Sequence, residues 1–357
     1  MFTKEDSNLC KGIAILMLLF HHLFNDYEEY AGYTVSYWPF TGERITFYAL
    51  LCKICVAVFV FISGYGIADS YRRKFKNDEP QKAEMINFIG KKYWKLMCCY
   101  WFVFILTLLC QPLGWTVVDA YGNNVKAGFI YFLIDAAGLS FLFSTPTLNP
   151  TWWYMSLAIA IIIILPFLLW LMQKMGAVVV TAGIMIFLYL ARLQNDATFY
   201  AFPMLMGALS CNCCLFEKIH RTGGSRKTAF LAKTAAELTL LIVFLHYRTD
   251  YNLNGIIDGG IAFMIAILSS EILEKIPLLS RLLGILGKNS ANMFLVHNQL
   301  YSLYFLGFFY SFRYWWLILL VLTGVSLLVS LVIDMLKKRT GYDKFMKMAG
   351  VKLFLNS

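Results

Sequence analysis

Long apolar stretches recur from one end of the chain to the other, and this recurrence limits the fold more than any other feature. The chain has 357 residues, of which 59% are hydrophobic and only 15% are charged, whereas soluble domains carry about 25% charged residues. A stretch of about 20 apolar residues is long enough to cross a bilayer as a helix. The sequence therefore predicts an all-α fold, a polytopic membrane helix bundle with about ten transmembrane helices, at 9–26, 46–69, 93–112, 151–172, 176–192, 199–216, 229–246, 255–273, 291–311 and 314–336.

The distribution of basic residues predicts the orientation of this bundle. Segments on the N-terminal side of the membrane hold 23 of the 31 Lys and Arg residues, and the opposite segments hold five. Because positive residues mark the cytoplasmic side, we expect both termini in the cytoplasm. The stretch 129–143 is then a re-entrant or extracellular helix with Asp135 on its polar side. This topology explains the net charge of +10, so no nucleic-acid partner is expected.

The predicted organisation is one transmembrane domain at 1–340 followed by a short basic cytoplasmic tail at 341–357. No soluble stretch is long enough to form a second core. The nine cysteines lie mostly inside apolar runs and are interpreted as small apolar side chains of the core. Cys52 and Cys55 have the spacing of a metal or redox pair, but no second pair or histidine cluster is near them in sequence, so no metal is expected.

The first predicted helix contains the most informative pair of residues. Lys11 and His22 are eleven positions apart, just over three helical turns, so their side chains point from one face. His21 is rotated by about 100° from that face. Ionisable groups inside a membrane are costly unless they line a cavity or a pathway. The alternative interpretation is a lysine that reaches the surface and a histidine that is bonded to a neighbouring carbonyl group.

His22, near the far end of the first predicted helix, could take part in acyl transfer. An uncoupled imidazole titrates near pH 6.5, so it can exchange a proton at neutral pH. It could deprotonate a sugar hydroxyl for attack on an acyl group, or it could carry the acyl group itself. A second histidine, His297, lies within the ninth span. It could belong to the same site or make an ordinary hydrogen bond inside the bundle.

Three further patterns each allow a structural and a functional interpretation. Ser63 and Gly64 close the aromatic run of span 2, where small residues suit helix packing or a ligand. The aromatic residues Trp152, Trp153 and Tyr154 begin span 4 as membrane anchors or as faces that stack on sugar rings. Basic residues border spans 2 and 3, either as positive-inside anchors or as a cradle for the phosphates of a coenzyme A thioester; they are Arg72, Arg73, Lys91, Lys92 and Lys95.

Taken together, these motifs resemble the acyltransferase-3 family of bacterial membrane acyltransferases. That family has a basic residue, ten intervening positions and a histidine in its first span, as Lys11 and His22 do here. It also has an aromatic-rich run that ends in Ser-Gly, matched by Phe59 to Gly64. A third mark is an aromatic residue followed by clustered basic residues, matched by Phe88 with Lys91, Lys92 and Lys95. Trp152 to Tyr154 and His297 are also similar to the family pattern. The order and spacing of the motifs match over nearly the whole chain.

The resemblance implies a multi-pass enzyme of the bacterial plasma membrane. It would transfer an acyl group, often acetyl, from cytoplasmic acyl-CoA to a hydroxyl of a cell-surface polysaccharide or a lipid-linked glycan precursor. His22 would act as base or acyl relay, and Lys11 would orient the donor or the base. The five basic residues, with Ser63 and Gly64, would bind the donor, and His297, Trp152, Trp153 and Tyr154 would bind the saccharide acceptor. Besides the lipid bilayer, glycan-synthesis or export proteins are candidate partners.

Two other functions remain open on the sequence alone. One is a component of a glycan exporter or flippase, which would need a continuous polar pathway and no acyl transfer. The other is a secondary transporter that uses Lys11, His22 and His297 as a proton relay. Transfer of an acyl group by the purified protein would separate both from the enzyme.

Overall fold

The computed structural model describes residues 2–76, 79–192, 196–222, 227–248 and 255–355. Most of them are helical, and the β structure in these ranges is one isolated bridge between Ser36 and Tyr314. A π-helical segment, Gln299–Tyr304, follows the fourteenth helix. The α-helices are α1 (Lys4–Phe24), α2 (Gly42–Leu51), α3 (Cys55–Lys74), α4 (Lys82–Leu109), α5 (Val117–Tyr121), α6 (Val125–Ala136), α7 (Trp153–Met175), α8 (Ala177–Leu190), α9 (Asp196–Phe199), α10 (Ala201–Asn212), α11 (Leu215–Arg221), α12 (Lys227–Tyr247), α13 (Gly255–Glu271), α14 (Pro277–Asn298), α15 (Leu306–Tyr310), α16 (Trp315–Arg339) and α17 (Tyr342–Leu355).

The predicted polytopic helical membrane fold is confirmed. Within the described part of the chain, seven helical stretches are long and apolar enough to cross a membrane: Lys4–Phe24, Gly42–Lys74, Lys82–Leu109, Pro150–Met175, Thr228–Tyr247, Gly255–Lys275 and Trp315–Arg339. The three other predicted spans correspond to α8, with 14 residues, α10, with 12 residues, and the junction of α14 with the π-helical segment. The number of ten spans and the cytoplasmic termini stay predictions.

The stretch predicted as a non-spanning helix forms α6, and its acidic residue has a different environment from the one expected. Asp135 is 1% exposed, so it does not lie on an exposed polar side. Its two carboxyl oxygens accept hydrogen bonds from five donors, at distances between 2.7 and 3.1 Å. These donors are the hydroxyl groups of Tyr100, Tyr121, Ser140 and Thr147 and the backbone N–H of Leu148. Asp135 therefore fixes the loop that leads from α6 to α7.

The chain divides into two compact units, each assembled from three segments. The first unit contains Met1–His21, Phe47–Pro80 and Ile163–Lys288. The second contains His22–Thr46, Gln81–Ile162 and Asn289–Ser357. Four helices, α1, α2, α7 and α14, each contribute residues to both units.

Glycines bring helices of the first unit into direct backbone contact. A Cβ atom on Gly64 of α3 would lie 2.3 Å from the carbonyl oxygen of Met204, and one on Gly207 of α10 would lie 2.2 Å from that of Phe61. Lipid tails are as apolar as leucine, so close packing of small residues is a main source of attraction between membrane helices. The α3–α10 contact uses this packing.

A second glycine contact joins α1 to α14 within the same unit. A Cβ atom on Gly12 would lie 2.2 Å from the carbonyl oxygen of Leu283, and one on Gly287 would lie 1.8 Å from that of Asn8. Neither position has room for a side chain without a shift of the backbone. Gly12 follows Lys11 directly, so the start of the first helix is fixed against α14 next to the predicted cation.

The second unit has an aromatic core that surrounds α4 and the start of α7. Tyr100 and Phe104 of α4 pack against the indole ring of Trp152, with ring centroids 4.9 and 5.9 Å apart. The residues of the predicted basic tail form α17, which docks on α4. The indole N–H of Trp94 donates to the carbonyl oxygen of Met346, and the amide of Asn87 donates to that of Phe354.

Candidate active site

The second unit brings together two histidines that the sequence singled out. His22 lies near the end of α1 and His297 near the end of α14, and their ring centroids are 5.1 Å apart with an angle of 42° between the ring planes. His22 is half-buried and His297 is fully buried. The hydroxyl of Tyr301 donates to the backbone carbonyl oxygen of His22 at 3.0 Å. The π-helical segment therefore contacts the same turn of α1 that carries the first ring.

Backbone contacts define the state of the second histidine. Nδ1 of His297 lies 2.7 Å from the carbonyl oxygen of Phe294. Because a carbonyl oxygen can only accept, Nδ1 carries the hydrogen, and in the neutral ring Nε2 keeps its lone pair. The ring of Tyr301 stacks on the His297 ring, with centroids 6.3 Å apart. His297 thus has a fixed orientation and a defined tautomer.

The change from α-helix to π-helix comes directly after His297. A π-turn bonds residue i to residue i+5, as the N–H of Phe305 does to the carbonyl oxygen of Leu300, 3.1 Å away. Such turns are rare and often lie at functional sites, because they alter the register of the helix. Side chains donate to two carbonyl oxygens just before this change: His297 to Phe294, and the indole of Trp152 to Leu295 at 3.0 Å.

The neighbouring histidine has a different environment. His21 belongs to the first unit, is buried, and its Nδ1 donates to the carbonyl oxygen of Ala49 at 2.8 Å. This is the structural interpretation that the sequence left open for a histidine in this helix, and it applies to His21. The ring of His22 lies against the imidazole of His297.

Lys11 lies on the same uninterrupted helix as His22 and is half-buried. It belongs to the first unit and His22 to the second. The spacing of eleven residues in one continuous α-helix keeps the two side chains on one face. The catalytic roles of both residues stay predictions.

The predicted donor-binding residues fall into both units. In the first unit, Arg73 forms an ion pair with Asp69 one turn earlier, and Arg72 donates to the carbonyl oxygen of Cys211 at 3.2 Å. The side chain of Arg73 is nonetheless 71% exposed, so its guanidinium can reach solvent. In the second unit, the ammonium of Lys92 lies 5.4 Å from the centre of the Phe88 ring.

The remaining donor-binding positions have the following surroundings. Lys91, Lys92 and Lys95 all lie in the N-terminal half of α4. Lys91 and Lys95 are both exposed. Ser63 is half-buried. Gly64 lies against the backbone of Met204, so it packs two helices together, and its role in donor binding stays a prediction.

The aromatic residues at the start of α7 have separate environments. Trp152 is only 3% exposed and its indole N–H donates to the carbonyl oxygen of Leu295; its role as an acceptor-binding residue stays a prediction. Trp153 packs against Phe141, and Tyr154 packs edge-on against Phe294, with centroids 5.7 and 5.5 Å apart. Both are half-buried, and their role as acceptor-binding residues stays a prediction.

One buried cation of the second unit was not recognised from the sequence. Lys337 was counted among the cytoplasmic basic residues, but its side chain is 8% exposed. Its ammonium donates to the amide oxygen of Asn292 at 3.1 Å and lies 3.9 Å from the carboxylate of Asp334. The spacing of Asp334 and Lys337, three residues apart in a helix, is a signal that could have indicated this pair.

Comparison with known proteins assigns the chain to a family. The acyltransferase-3 family, described as an acyltransferase domain, matches residues 5–335. No curated protein and no solved structure is significantly similar to the chain. The family match covers nearly the whole chain and includes both histidines of the pair and the aromatic start of α7. The chain therefore belongs to the acyltransferase-3 family and is a multi-pass membrane acyltransferase.

Proposed function

We propose that this acyltransferase moves an acyl group, often acetyl, from cytoplasmic acyl-CoA to a hydroxyl of a cell-surface polysaccharide or its lipid-linked precursor in the bacterial plasma membrane. The family match supports acyl transfer in general. The basic residues at the borders of α3 and α4 support an anionic donor on the side where positive residues accumulate. The protein would use no metal.

The observation that carries this proposal is the His22–His297 pair, with ring centroids 5.1 Å apart. In the base route, His22 takes the proton of the acceptor hydroxyl while the hydroxyl oxygen attacks the thioester carbonyl carbon. The C–S bond breaks, and the coenzyme A thiolate leaves and takes up the proton. In the relay route, a ring nitrogen of His22 first forms the bond to the acyl carbon as the C–S bond breaks and the thiolate leaves. The hydroxyl oxygen then attacks the acyl carbon, the bond to the imidazole nitrogen breaks, and the hydroxyl proton passes to the released imidazole.

Each remaining residue has a role that follows from its chemistry. His297, with its proton on Nδ1 and a lone pair on Nε2, provides an acceptor for the hydroxyl or for the His22 ring. Lys11 adds a cation on the face of α1 that carries His22, where it orients the donor or the base. Arg72 and Arg73 bind donor phosphates, as do Lys91, Lys92 and Lys95, because charge-assisted hydrogen bonds to phosphate oxygens are strong.

The acceptor would contact the aromatic residues that keep part of their surface accessible. Trp153 and Tyr154 are half-buried at the start of α7, and flat rings of this kind can stack on a sugar. Tyr154 also contacts Phe294, three residues before His297. An acceptor on these rings would lie near the turn of α14 that carries the second histidine.

The experiment compares two adjacent histidines in cells that lack the native gene. Cells are complemented with the wild-type gene, His22→Ala or His21→Ala, and the O-acyl ester content of surface glycans is measured by mass spectrometry. Loss of a general base or relay costs about 10²–10⁴-fold, so His22→Ala should abolish detectable acylation at an unchanged protein level. His21→Ala should reduce acylation less, because the His21 ring contacts a backbone carbonyl.

Two outcomes would contradict the proposal. Wild-type acylation with His22→Ala would remove this residue from the mechanism. A larger loss with His21→Ala than with His22→Ala, at an equal protein level, would show that His21 and not His22 carries the chemistry.

A further inference from the structure

One asparagine of the second unit connects the loop before α7 to the end of α14. Asn149 is fully buried and caps the 3₁₀ turn Pro150–Trp152. Its amide oxygen accepts hydrogen bonds from the Thr151 backbone N–H at 3.1 Å and the Thr151 hydroxyl at 2.9 Å. The same oxygen accepts from the side-chain amide of Asn298 at 3.0 Å, and the NH₂ group of Asn149 donates to the carbonyl oxygen of Leu295 at 3.4 Å.

These contacts enclose His297 along the helix. Leu295 precedes it by two residues and Asn298 follows it by one, so a single side chain bonds to α14 on both sides of the histidine. Trp152 donates to the same Leu295 carbonyl oxygen at 3.0 Å. We call the hydrogen bonds of Asn149 to Leu295 and Asn298 the clamp. The clamp contacts the last turn of α14, directly before the π-helical segment.

The loop that carries the clamp is itself held in place. Thr147 and Leu148, the two residues before Asn149, donate to the carboxyl group of Asp135 at 2.9 and 2.7 Å. Asp135 is buried and bonded to α4 and α5 through the hydroxyls of Tyr100 and Tyr121. A rigid support therefore reaches from the end of α6 to the amide of Asn149.

We propose that Asn149 is a positioning residue for the histidine pair: it fixes the end of α14 so that the His297 ring keeps its place against His22. This inference rests on the proposed function of His22. Asn149 acts through His297 and does not touch the reacting groups.

The side-chain chemistry separates this role from simple capping of the turn. Asparagine, aspartate and serine cap helical turns about equally well. Only an amide can accept from Asn298 and Thr151 while it donates to Leu295. Asn149→Asp keeps the cap and the shape but places an acceptor oxygen opposite the Leu295 carbonyl oxygen. The substitution therefore opposes the clamp more than it disturbs the turn.

The kinetic test uses purified protein and a matched control. Small misplacements of a catalytic group can cost about 10²-fold, so Asn149→Asp should lower kcat for acyl transfer about 10–100-fold while KM for acyl-CoA changes less than about twofold. The control is Asn124→Asp, an exposed N-cap that accepts from the Ala127 N–H at the start of α6. It should leave both constants unchanged. Wild-type kcat in a folded Asn149→Asp protein would overturn the proposal, as would a change confined to KM.

A double-mutant cycle tests whether the effect passes through the second histidine. His297→Ala should itself lower kcat, and addition of Asn149→Asp should then cost less than about twofold more, because residues that act as a unit are not additive. Effects that multiply in full would show that Asn149 acts independently of His297 and would overturn the proposal. If Asn149→Asp does not fold, Trp152→Phe takes its place in the cycle, since it removes the indole donor to Leu295 and keeps an aromatic ring, although a smaller one, against Tyr100 and Phe104.

A measurement without activity separates failure of this inference from failure of the proposed function. The chain has five histidines, whose ring nitrogens can be observed by NMR in ¹⁵N-histidine-labelled protein and assigned by substitution. Asn149→Asp should shift the His297 signals and leave those of His220 unchanged. Unchanged His297 signals would overturn the positioning role of Asn149, whatever the activity of His22→Ala. Wild-type acylation by His22→Ala would overturn the proposed role of His22 in acyl transfer and leave the contact between Asn149 and α14 untouched.

Discussion

The two units hold their helices together in different ways. In the first unit, glycines bring backbones into contact, at Gly64 and Gly207 between α3 and α10 and at Gly12 and Gly287 between α1 and α14. In the second unit, buried polar side chains such as Asp135 bridge separate elements through hydrogen bonds. Membrane helices have both means of association, because apolar burial gives little preference between protein and lipid.

The difference shows where chemistry can be placed. Backbone contact at glycines leaves no space for a polar group, whereas a hydrogen-bonded network can orient one. The His22–His297 pair lies in the second unit, next to the carbonyl groups that Trp152 and Asn149 bind. The hydrogen-bonded network around Asp135 and Asn149 thus belongs to the same unit as the candidate site.

The largest effect on stability is expected at Asp135, at the centre of the hydrogen-bonded network of the second unit. Asp135→Asn replaces an acceptor oxygen by an NH₂ group that faces hydrogen-bond donors, and each buried group left without a partner costs about 1–3 kcal/mol. We expect a loss of about 3 kcal/mol in the free energy of unfolding, measured by thermal unfolding in detergent.

The control is Asp119→Asn, in the exposed capping box of α5. There the hydroxyl and the backbone N–H of Thr116 donate to the carboxylate and hold the pKa of Asp119 below its usual range. This control should leave the unfolding midpoint unchanged. An equally small shift for Asp135→Asn would show that the polar network does not hold the second unit together.

A smaller effect is expected at a glycine contact of the first unit. Gly287→Ala would place a Cβ atom 1.8 Å from the Asn8 carbonyl oxygen, whereas a Cβ atom on Gly284 of the same helix meets nothing within 4 Å. Overpacking costs about 1–3 kcal/mol, so Gly287→Ala should lower the free energy of unfolding by about 2 kcal/mol. Gly284→Ala should raise it slightly, because alanine favours a helix over glycine. Equal effects of the two substitutions would contradict close backbone packing.

The smallest effect is expected from basic residues that the units contribute separately. Arg73→Gln in the first unit and Lys92→Gln in the second should each raise KM for acyl-CoA about threefold with kcat unchanged, because each removes uniform binding of the donor. Added salt should reduce the difference from wild type, since exposed charges are screened. Lys126→Gln on α6 is the control. A fall in kcat from either substitution, or an equal change with Lys126→Gln, would remove these residues from donor binding.

The sequence predicted the class of fold and the members of the histidine pair, but not their contact. Period and hydropathy indicate that α1 and α14 are helices, and the spacing of Lys11 and His22 is a property of one helix. The approach of His297 to His22 depends on long-range packing, which no local pattern contains. Gly12 and Gly287 flank these motifs in sequence, yet small residues alone do not reveal which helices they join.

Other differences also have physical causes. At three of the ten predicted spans the structure has shorter or more polar helices, since α8 has 14 residues, α10 has 12, and α14 carries polar residues at its end; the count of ten stays a prediction. Trp152 is predicted as a membrane anchor or as a face for sugar rings; in the structure it is buried with its indole N–H bonded to the Leu295 carbonyl oxygen, a contact that no linear pattern contains. Asp135 was predicted on a polar side because a carboxylate usually faces water. The five donors that bury it come from four separate segments, and no linear pattern brings these segments together.

The most direct test of the central claim is the rate of acyl transfer by purified protein from radiolabelled acetyl-CoA to a deacylated surface polysaccharide. We predict label in ester linkage to the glycan with wild-type protein, and at least about 100-fold less with His22→Ala. Equal transfer by His22→Ala would contradict the role of the histidine pair. Movement of glycan across vesicle membranes without ester formation would contradict acyl transfer to this acceptor.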